Sequence, residues 1–236
     1  MSNIVKVKVQ RISDIAPEKR FLVDELTIVD RFELKRDLPI LKSMCNTVVD
    51  GKRTGGNLSV VDLSRCSIAL EFGYYVVNPD AWGNMKDCIS LKKISLPSKI
   101  ILYDGAGGGF SGCKSLESIF INGNEYPEYY KTCGKAYDID GVLFLNKESE
   151  KVLVKYPANK GNNYIIPNDV TCIDSCAFED SHLTKLVMPS IPPRCQESAF
   201  KGVNIVAMTL VVPKGCHESY WVHPVYGKFN IEELID

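Results

Sequence analysis

The chain has 236 residues, 45% of them hydrophobic and 24% charged, with a formal net charge of -1. That hydrophobic share is ample for a core, and balanced charge gives the whole molecule no pull toward nucleic acid or an anionic bilayer. Long uninterrupted apolar runs are absent, which argues against membrane insertion.

The N-terminal stretch MSNIVKVKVQ alternates apolar and charged residues, so it reads as a strand and carries no secretory h-region. The first rung follows as Val23-x-x-Leu26-x-Ile28, again with a period of two. Asp37-Leu38-Pro39 ahead of ILKSMC predicts a helix of about two turns with Asp37 near its cap and with Leu41 and Met44 facing inward. Asp50 to Gly56 reads as a polar turn ordered only by its glycines.

A second rung, Leu58-x-x-Val61-x-Leu63, introduces a pattern that then recurs. It returns as Leu91-x-x-Ile94-x-Leu96, Leu116-x-x-Ile119-x-Ile121 and Leu183-x-x-Leu186-x-Met188, with looser versions at Tyr164-x-Ile166 and Leu210-x-Val212. Met85, Cys88, Leu91, Ile94 and Leu96 map onto Phe110, Cys113, Leu116, Ile119 and Ile121 at one constant offset of 25. Pro167 and Pro189 stand 22 residues apart, too short for a domain and right for one turn of a solenoid. Each rung is expected to be a parallel strand ended by proline, which cannot donate to the ladder. The crossovers carry apolar plugs at Phe110, Ala177-Phe178 and Ala199-Phe200. The expected fold is a β-rich solenoid of the α/β class, parallel strands stacked in a right-handed coil around one continuous apolar spine.

From Asn122 to Lys160 the rhythm breaks. Gly141 to Leu145 and Lys151 to Lys155 read as two strands joined by the charged turn Asn146 to Glu150, a hairpin inserted in the array. Tyr126, Tyr129, Tyr130, Tyr137 and Tyr156 gather there; they suit an interface, although packing on the solenoid flank explains them more simply. At the C-terminus, 214–221 predicts a short capping helix with Tyr220 and Trp221 over the last rung, and Phe229 with Ile231 a closing strand. Trp221 as a ligand platform is the alternative. The expected organisation is one domain over 1–236: N-terminal rung and helix 1–57, repeats 58–121, inserted hairpin 122–160, repeats 161–213 and cap 214–236.

Nine cysteines include no C-x-x-C pair, and Cys172-x-x-x-Cys176 has no second ligand pair among them or among His182, His217 and His223. They read as small apolar packing groups, and no metal or cofactor is expected. Gly105 to Gly109 fails G-x-G-x-x-G because Phe110 stands at the last glycine, and it reads instead as a loop relaxed to take an extra residue. Cys216 and His217 are adjacent, a spacing that turns nucleophile and base apart on a helix. Glu148 with Glu150 and Glu232 with Glu233 read as solvated charge. No catalytic residue is assigned.

The repeat I-P-x-x-V-T-x-I-x-x-x-A-F with L-T-x-L-x-x-P at 166–189 resembles the BspA-like leucine-rich repeats of anaerobic bacteria. Leu58 to Ser64, Asp140 to Pro157, and the tail with Ile191-Pro-Pro, Ala199-Phe200, Leu210 to Gly215 and Tyr220-Trp221 are similar to that family's other segments. Two departures stand out: Asp174 replaces a usual glycine and Ser181 a common cysteine. The resemblance implies a leucine-rich repeat solenoid and a non-enzymatic binding or adhesion module, on the cell surface or secreted. Without an export signal in these residues, a cytoplasmic location stays open. The implied partner is a protein or glycan held on the outward strand face at Lys92, Lys93, Glu117, Phe120, Lys185 and Val187, with Ser95, Ser118 and Thr184 beside them. A structural spacer in a larger assembly, or a hydrolase with a site near the hairpin, are the alternatives.

Overall fold

The computed structural model describes residues 4–68, 85–97, 100, 102, 105–122 and 134–234. Strands β1 (Lys6–Val9) and β2 (Glu25–Ile28) open the chain, followed by β3 (Arg31–Phe32), helix α1 (Leu34–Met44), and β4 (Val48–Val49) with β5 (Lys52–Arg53). Then come β6 (Val60–Asp62), β7 (Ser67–Ile68), β8 (Lys93–Pro97) and β9 (Ser118–Asn122). Strands β1, β2, β6, β8 and β9 pair in parallel as one front sheet, in that order. Register aligns the rung residues: Val7, Leu26, Val61, Ile94 and Ile119 lie side by side on the inward face. Parallel pairing needs a crossover for every strand, and the coil supplies it; β3 and β7 pair in parallel away from the front sheet.

Helix α1 is longer than the sequence suggested and begins before Asp37. Its cap residue is Glu33, while the buried Asp37 carboxylate turns back to accept the Glu33 N–H at 2.8 Å and is held by Arg36 at 2.7 Å. A carboxylate in the first turn satisfies an orphan donor and favours the positive end of the helix dipole. Leu41 and Met44 face inward as expected. The stretch after it is more ordered than its glycines implied: β4 and β5 form a small antiparallel hairpin whose turn residues Asp50 and Gly51 both have positive φ.

The largest departure lies at the expected insertion. Strands β10 (Lys135–Ile139), β11 (Val142–Lys147) and β12 (Glu150–Lys155) form a three-stranded antiparallel meander. It is no appendage. The chain continues as β13 (Asn163–Ile165), β14 (Cys172–Ile173), β15 (Lys185–Val187), β16 (Arg194–Cys195), β17 (Thr209–Val212), helix α2 (His217–Trp221) and β18 (Asn230–Glu233). Strand β12 pairs in parallel with β14, which pairs with β16, so the meander begins the sheet on the crossover side. Strands β13, β15, β17 and β18 make a second front sheet, again parallel.

The meander also divides the core. Leu143, Leu145, Val152 and Val154 point into a first cluster with Leu26, Val61, Leu91 and Leu116. Val142, Phe144, Leu153 and Tyr156 point into a second with Leu183, Leu186 and Leu210. The single spine expected from the repeat is therefore two cores that share a double-faced wall. A strand buried on both sides reads as a continuous apolar run, which is what Val142 to Leu145 and Val152 to Val154 are. In the second core, rings meet from rung to rung: Tyr156 tilted against Phe178 at 5.7 Å, Phe178 stacked on Phe200 at 5.0 Å and Phe200 edge-on to Phe229 at 4.9 Å.

The glycine run before Phe110 is a contact surface and not slack. A Cβ on Gly107 would lie 2.2 Å from the Val154 carbonyl, so only glycine lets this turn rest on β12. Two residues after each plug the backbone is left-handed, at Asp87, Gly112, Asp180 and Gly202, and this one-residue kink turns the chain toward the next front strand. Asp174, at the position of the usual glycine, ties neighbouring rungs together: its carboxylate accepts the Gly105 N–H at 2.8 Å and its own neighbour's N–H, from Ser175, at 2.8 Å.

Candidate functional site

The outward face of each front sheet is set by the same alternation that buries its rungs. On the first sheet one outward row runs Lys6, Glu25, Val60, Lys93, Ser118 and the next runs Lys8, Thr27, Asp62, Ser95, Phe120. Lys92, Lys93 and Phe120 are exposed there, and Glu117 is half-buried. Ser118 is not available, contrary to expectation. The two-residue turn between β10 and β11 presses on it: Gly141 accepts the Ile119 N–H at 2.9 Å, Asp138 accepts the Ile121 N–H at 2.7 Å, and Ser118 is left 8% exposed.

That turn rests against β9, and the six residues singled out from the sequence lie on two different sheets. Lys92, Lys93, Glu117 and Phe120 belong to the first sheet, Lys185 and Val187 to the second. The second sheet has a different character. Its outward rows are Asn163, Lys185, Thr209, Asn230 and Ile165, Val187, Val211, Glu232. In the latter Ile165 stands 69% exposed and Val187 half-buried, while Val211 is buried and Glu232 ends the row with an exposed charge. Ile165 was missed because its rung was recognised only through Tyr164 and Ile166; placing it on the strand and flipping the alternation would have found it.

Beside the meander lies an open groove of about 790 Å³ lined by Tyr137, Asp138, Lys147, Lys151, Asp169 and Thr171 among others. Tyr137 stacks on Phe144 at 5.6 Å, and the Lys151 ammonium lies 5.6 Å from the Tyr137 ring centre. Burial opposes the Lys151 charge, but hydrogen bonds to Asp169 and Tyr137 outweigh it and hold the group above its ordinary range. Burial likewise pushes the Tyr137 phenol up. A phenol made less acidic beside a fixed ammonium stays protonated, a hydrogen-bond donor at the groove wall. Tyr126, Tyr129 and Tyr130 lie outside the described residues.

Trp221 does not lie over the last rung. It is 57% exposed and stacks on His217, with ring centres 6.1 Å apart, while Tyr220 and Tyr226 do the covering. Their hydroxyls donate to the carbonyls of Pro189 at 2.6 Å and Pro193 at 3.0 Å. Cys45, Cys66, Cys88 and Cys113 are buried, and burial with nearby Asp62 pushes the Cys66 thiol up to about 12. Among the described residues no three His, Cys, Asp or Glu side chains converge as a metal site requires, and no helix is long and apolar enough to cross a membrane.

No curated protein matches this sequence. Among solved structures, the chain is similar to a leucine-rich repeat protein from Eubacterium ventriosum, with 15% identity, 93% of this chain and 62% of that one covered, and a TM-score of 0.41. A leucine-rich cell surface protein from Faecalibacterium prausnitzii matches with 15% identity over 91% of this chain and 64% of that one, at a TM-score of 0.33. The pneumococcal vaccine antigen PcpA matches with 12% identity over 81% and 54%, at 0.36. The chain thus spans less than two thirds of each of those proteins. The model of the BspA-type leucine-rich repeat region matches in six copies, over residues 83–136 and 156–218, and with the stacked parallel rungs described above this places the chain in the BspA-type leucine-rich repeat family.

Proposed function

We propose that the chain is a non-enzymatic recognition module, displayed at the cell surface or secreted, that holds a protein partner on the outward face of its second front sheet. The observation that carries this reading is the pair Ile165, 69% exposed, and Val187, half-buried, apolar side chains on the outward face bordered by Lys185, Thr209 and Asn230. Exposed apolar residues rimmed by polar ones are the composition of a contact surface. Lys92, Lys93, Glu117 and Phe120 on the first sheet extend the same kind of contact.

The test uses pull-down from host and matrix protein extracts with the chain as bait, followed by affinity measurement on the captured protein. Ile165→Asp with Lys185→Ala should leave the circular dichroism spectrum unchanged and weaken capture at least tenfold. Equal capture by the folded double variant would remove this face from consideration.

The groove beside the meander favours a second reading, a glycan ligand. Tyr137 with Asp138, Asp169 and Thr171 offers an aromatic ring among hydrogen-bonding groups. Tyr137→Ala abolishing a glycan-array signal, with Ile165→Asp leaving it intact, would decide for the groove.

A further inference from the structure

A cleft of about 390 Å³ opens between α1 and the β4–β5 hairpin. Leu34, Leu38, Val48 and Val49 give it apolar walls, and Lys35 and Lys42 add two positive charges. Val48 and Val49 are 45% and 51% exposed, so the hairpin holds two large apolar side chains in water beside the cleft. The carboxylates of this part of the chain leave those lysines alone: Glu33 is held by Arg31 and Arg36, Asp37 is buried against Arg36, and Asp50 stands at the hairpin tip. Lys35, Lys42 and Lys52 make no ion pair among the described residues. An apolar cleft with basic margins complements an apolar group flanked by acids.

The backbone narrows the ligand to a peptide. Val49 and Lys52 flank the two-residue turn Asp50-Gly51, and Thr54 donates to the Thr47 carbonyl at 3.0 Å, so these are the hydrogen-bonded pairs of the hairpin. Val48 lies between them, opposite Arg53, and therefore turns its N–H and its carbonyl away from β5. Neither group has a partner among the described residues. Of the two hairpin strands only β4 lines the cleft. On the facing wall Pro39, inside α1, deprives the Lys35 carbonyl of its helical donor. A fatty acid would use the apolar walls and the lysines and leave these main-chain groups unmet.

We propose that this cleft binds an extended, acidic peptide segment of a partner protein, added as a strand to β4. One peptide residue exchanges both main-chain hydrogen bonds with Val48, and its apolar side chain lies beside that of Val48 in the cleft. Acids on either side of that residue meet Lys35 and Lys42, which stand about two turns, or about 10 Å, apart along the helix. An extended segment covers that distance in about three residues. These residues are separate from the front-sheet face proposed above.

Panning the full chain against a display library of random linear peptides, followed by fluorescence anisotropy on the most enriched sequence, tests this. Enriched peptides should carry Asp or Glu on both sides of a Leu, Ile, Val or Phe, and their affinity should fall as salt is added. Lys35→Glu combined with Lys42→Glu should weaken binding by about tenfold, and Val49→Asp should do the same, each with an unchanged circular dichroism spectrum. Lys35→Glu alone changes an exposed side chain and should weaken binding by about threefold, which keeps the test decisive if the double variant misfolds. N-methylation of the peptide at its apolar residue deletes the donor to the Val48 carbonyl and should abolish binding. The proposal is overturned if acidic peptides are not enriched, if a fatty-acid probe binds in their place, if folded lysine variants bind as the parent does, or if the N-methylated peptide binds in full.

Discussion

Ser181 occupies the place that Cys88 and Cys113 hold in earlier rungs, three residues after the plug position, and its hydroxyl is buried with no hydrogen-bond partner among the described residues. In the equivalent position the Cys113 thiol donates to the Met85 carbonyl at 2.9 Å. A buried hydroxyl without a partner costs about 1–3 kcal/mol. A thiol tolerates such a site because it behaves as a small apolar group. Sulfur is larger than oxygen, so some of that gain is lost to tighter packing. The net expectation for Ser181→Cys is a stabilisation of about 1 kcal/mol, or about 2–4 °C in Tm for a chain of this size. Thermal melts followed by far-ultraviolet circular dichroism, with urea titration alongside, measure it. Ser181→Ala is the companion variant, removing the hydroxyl without adding volume, and it should melt no lower than the parent. Loss of stability in both variants would show that the hydroxyl is bonded after all, and loss in Ser181→Cys alone would show that the site has no room for sulfur.

Three further expectations follow from the packing and the charges. Phe178→Ala opens the middle of the ring stack and should cost about 3–5 kcal/mol by urea titration, because neighbours on both sides lose a partner. Tyr220→Phe leaves the Pro189 carbonyl unpaired and should cost about 1–2 kcal/mol, whereas Trp221→Ala, at an exposed site, should stay within about 0.5 kcal/mol; the reverse order would contradict the cap described here. For Glu179, burial opposes ionisation, but hydrogen bonds from Lys201 and Ser111 outweigh it and hold the carboxyl below its ordinary 4.5. With a lowered folded pKa, its contribution is complete above about pH 4.5 and is lost as pH falls through the folded value. Glu179→Gln should therefore flatten the acid side of the stability profile, and an unchanged profile would refute that assignment.

The residues that carry the fold were readable because a coil repeats its constraint. Each turn must offer an apolar side chain at the same two or three places, so Leu91, Ile94 and Leu96 announce Leu116, Ile119 and Ile121 at a fixed offset, and the strands appear where the pattern puts them. Asp37 lies near the cap as expected, but inside the first turn, because an aspartate that reaches back from there leaves the same local signature as one that precedes the helix.

What escaped the one-dimensional pattern was everything decided by contact between distant rungs. Val142 to Leu145 gave a strand, but only the three-dimensional arrangement shows that alternate side chains feed two different cores. Ser118 lies at an outward position by alternation and is covered by a turn more than twenty residues along the chain, and the outward residues fall on two sheets. The sequence by itself determined which side chains must be buried, since periodicity and burial are two statements of one local geometry. Tertiary structure alone decided which outward residues share a face, because that depends on which sheet each rung joins, and no spacing along the chain encodes it.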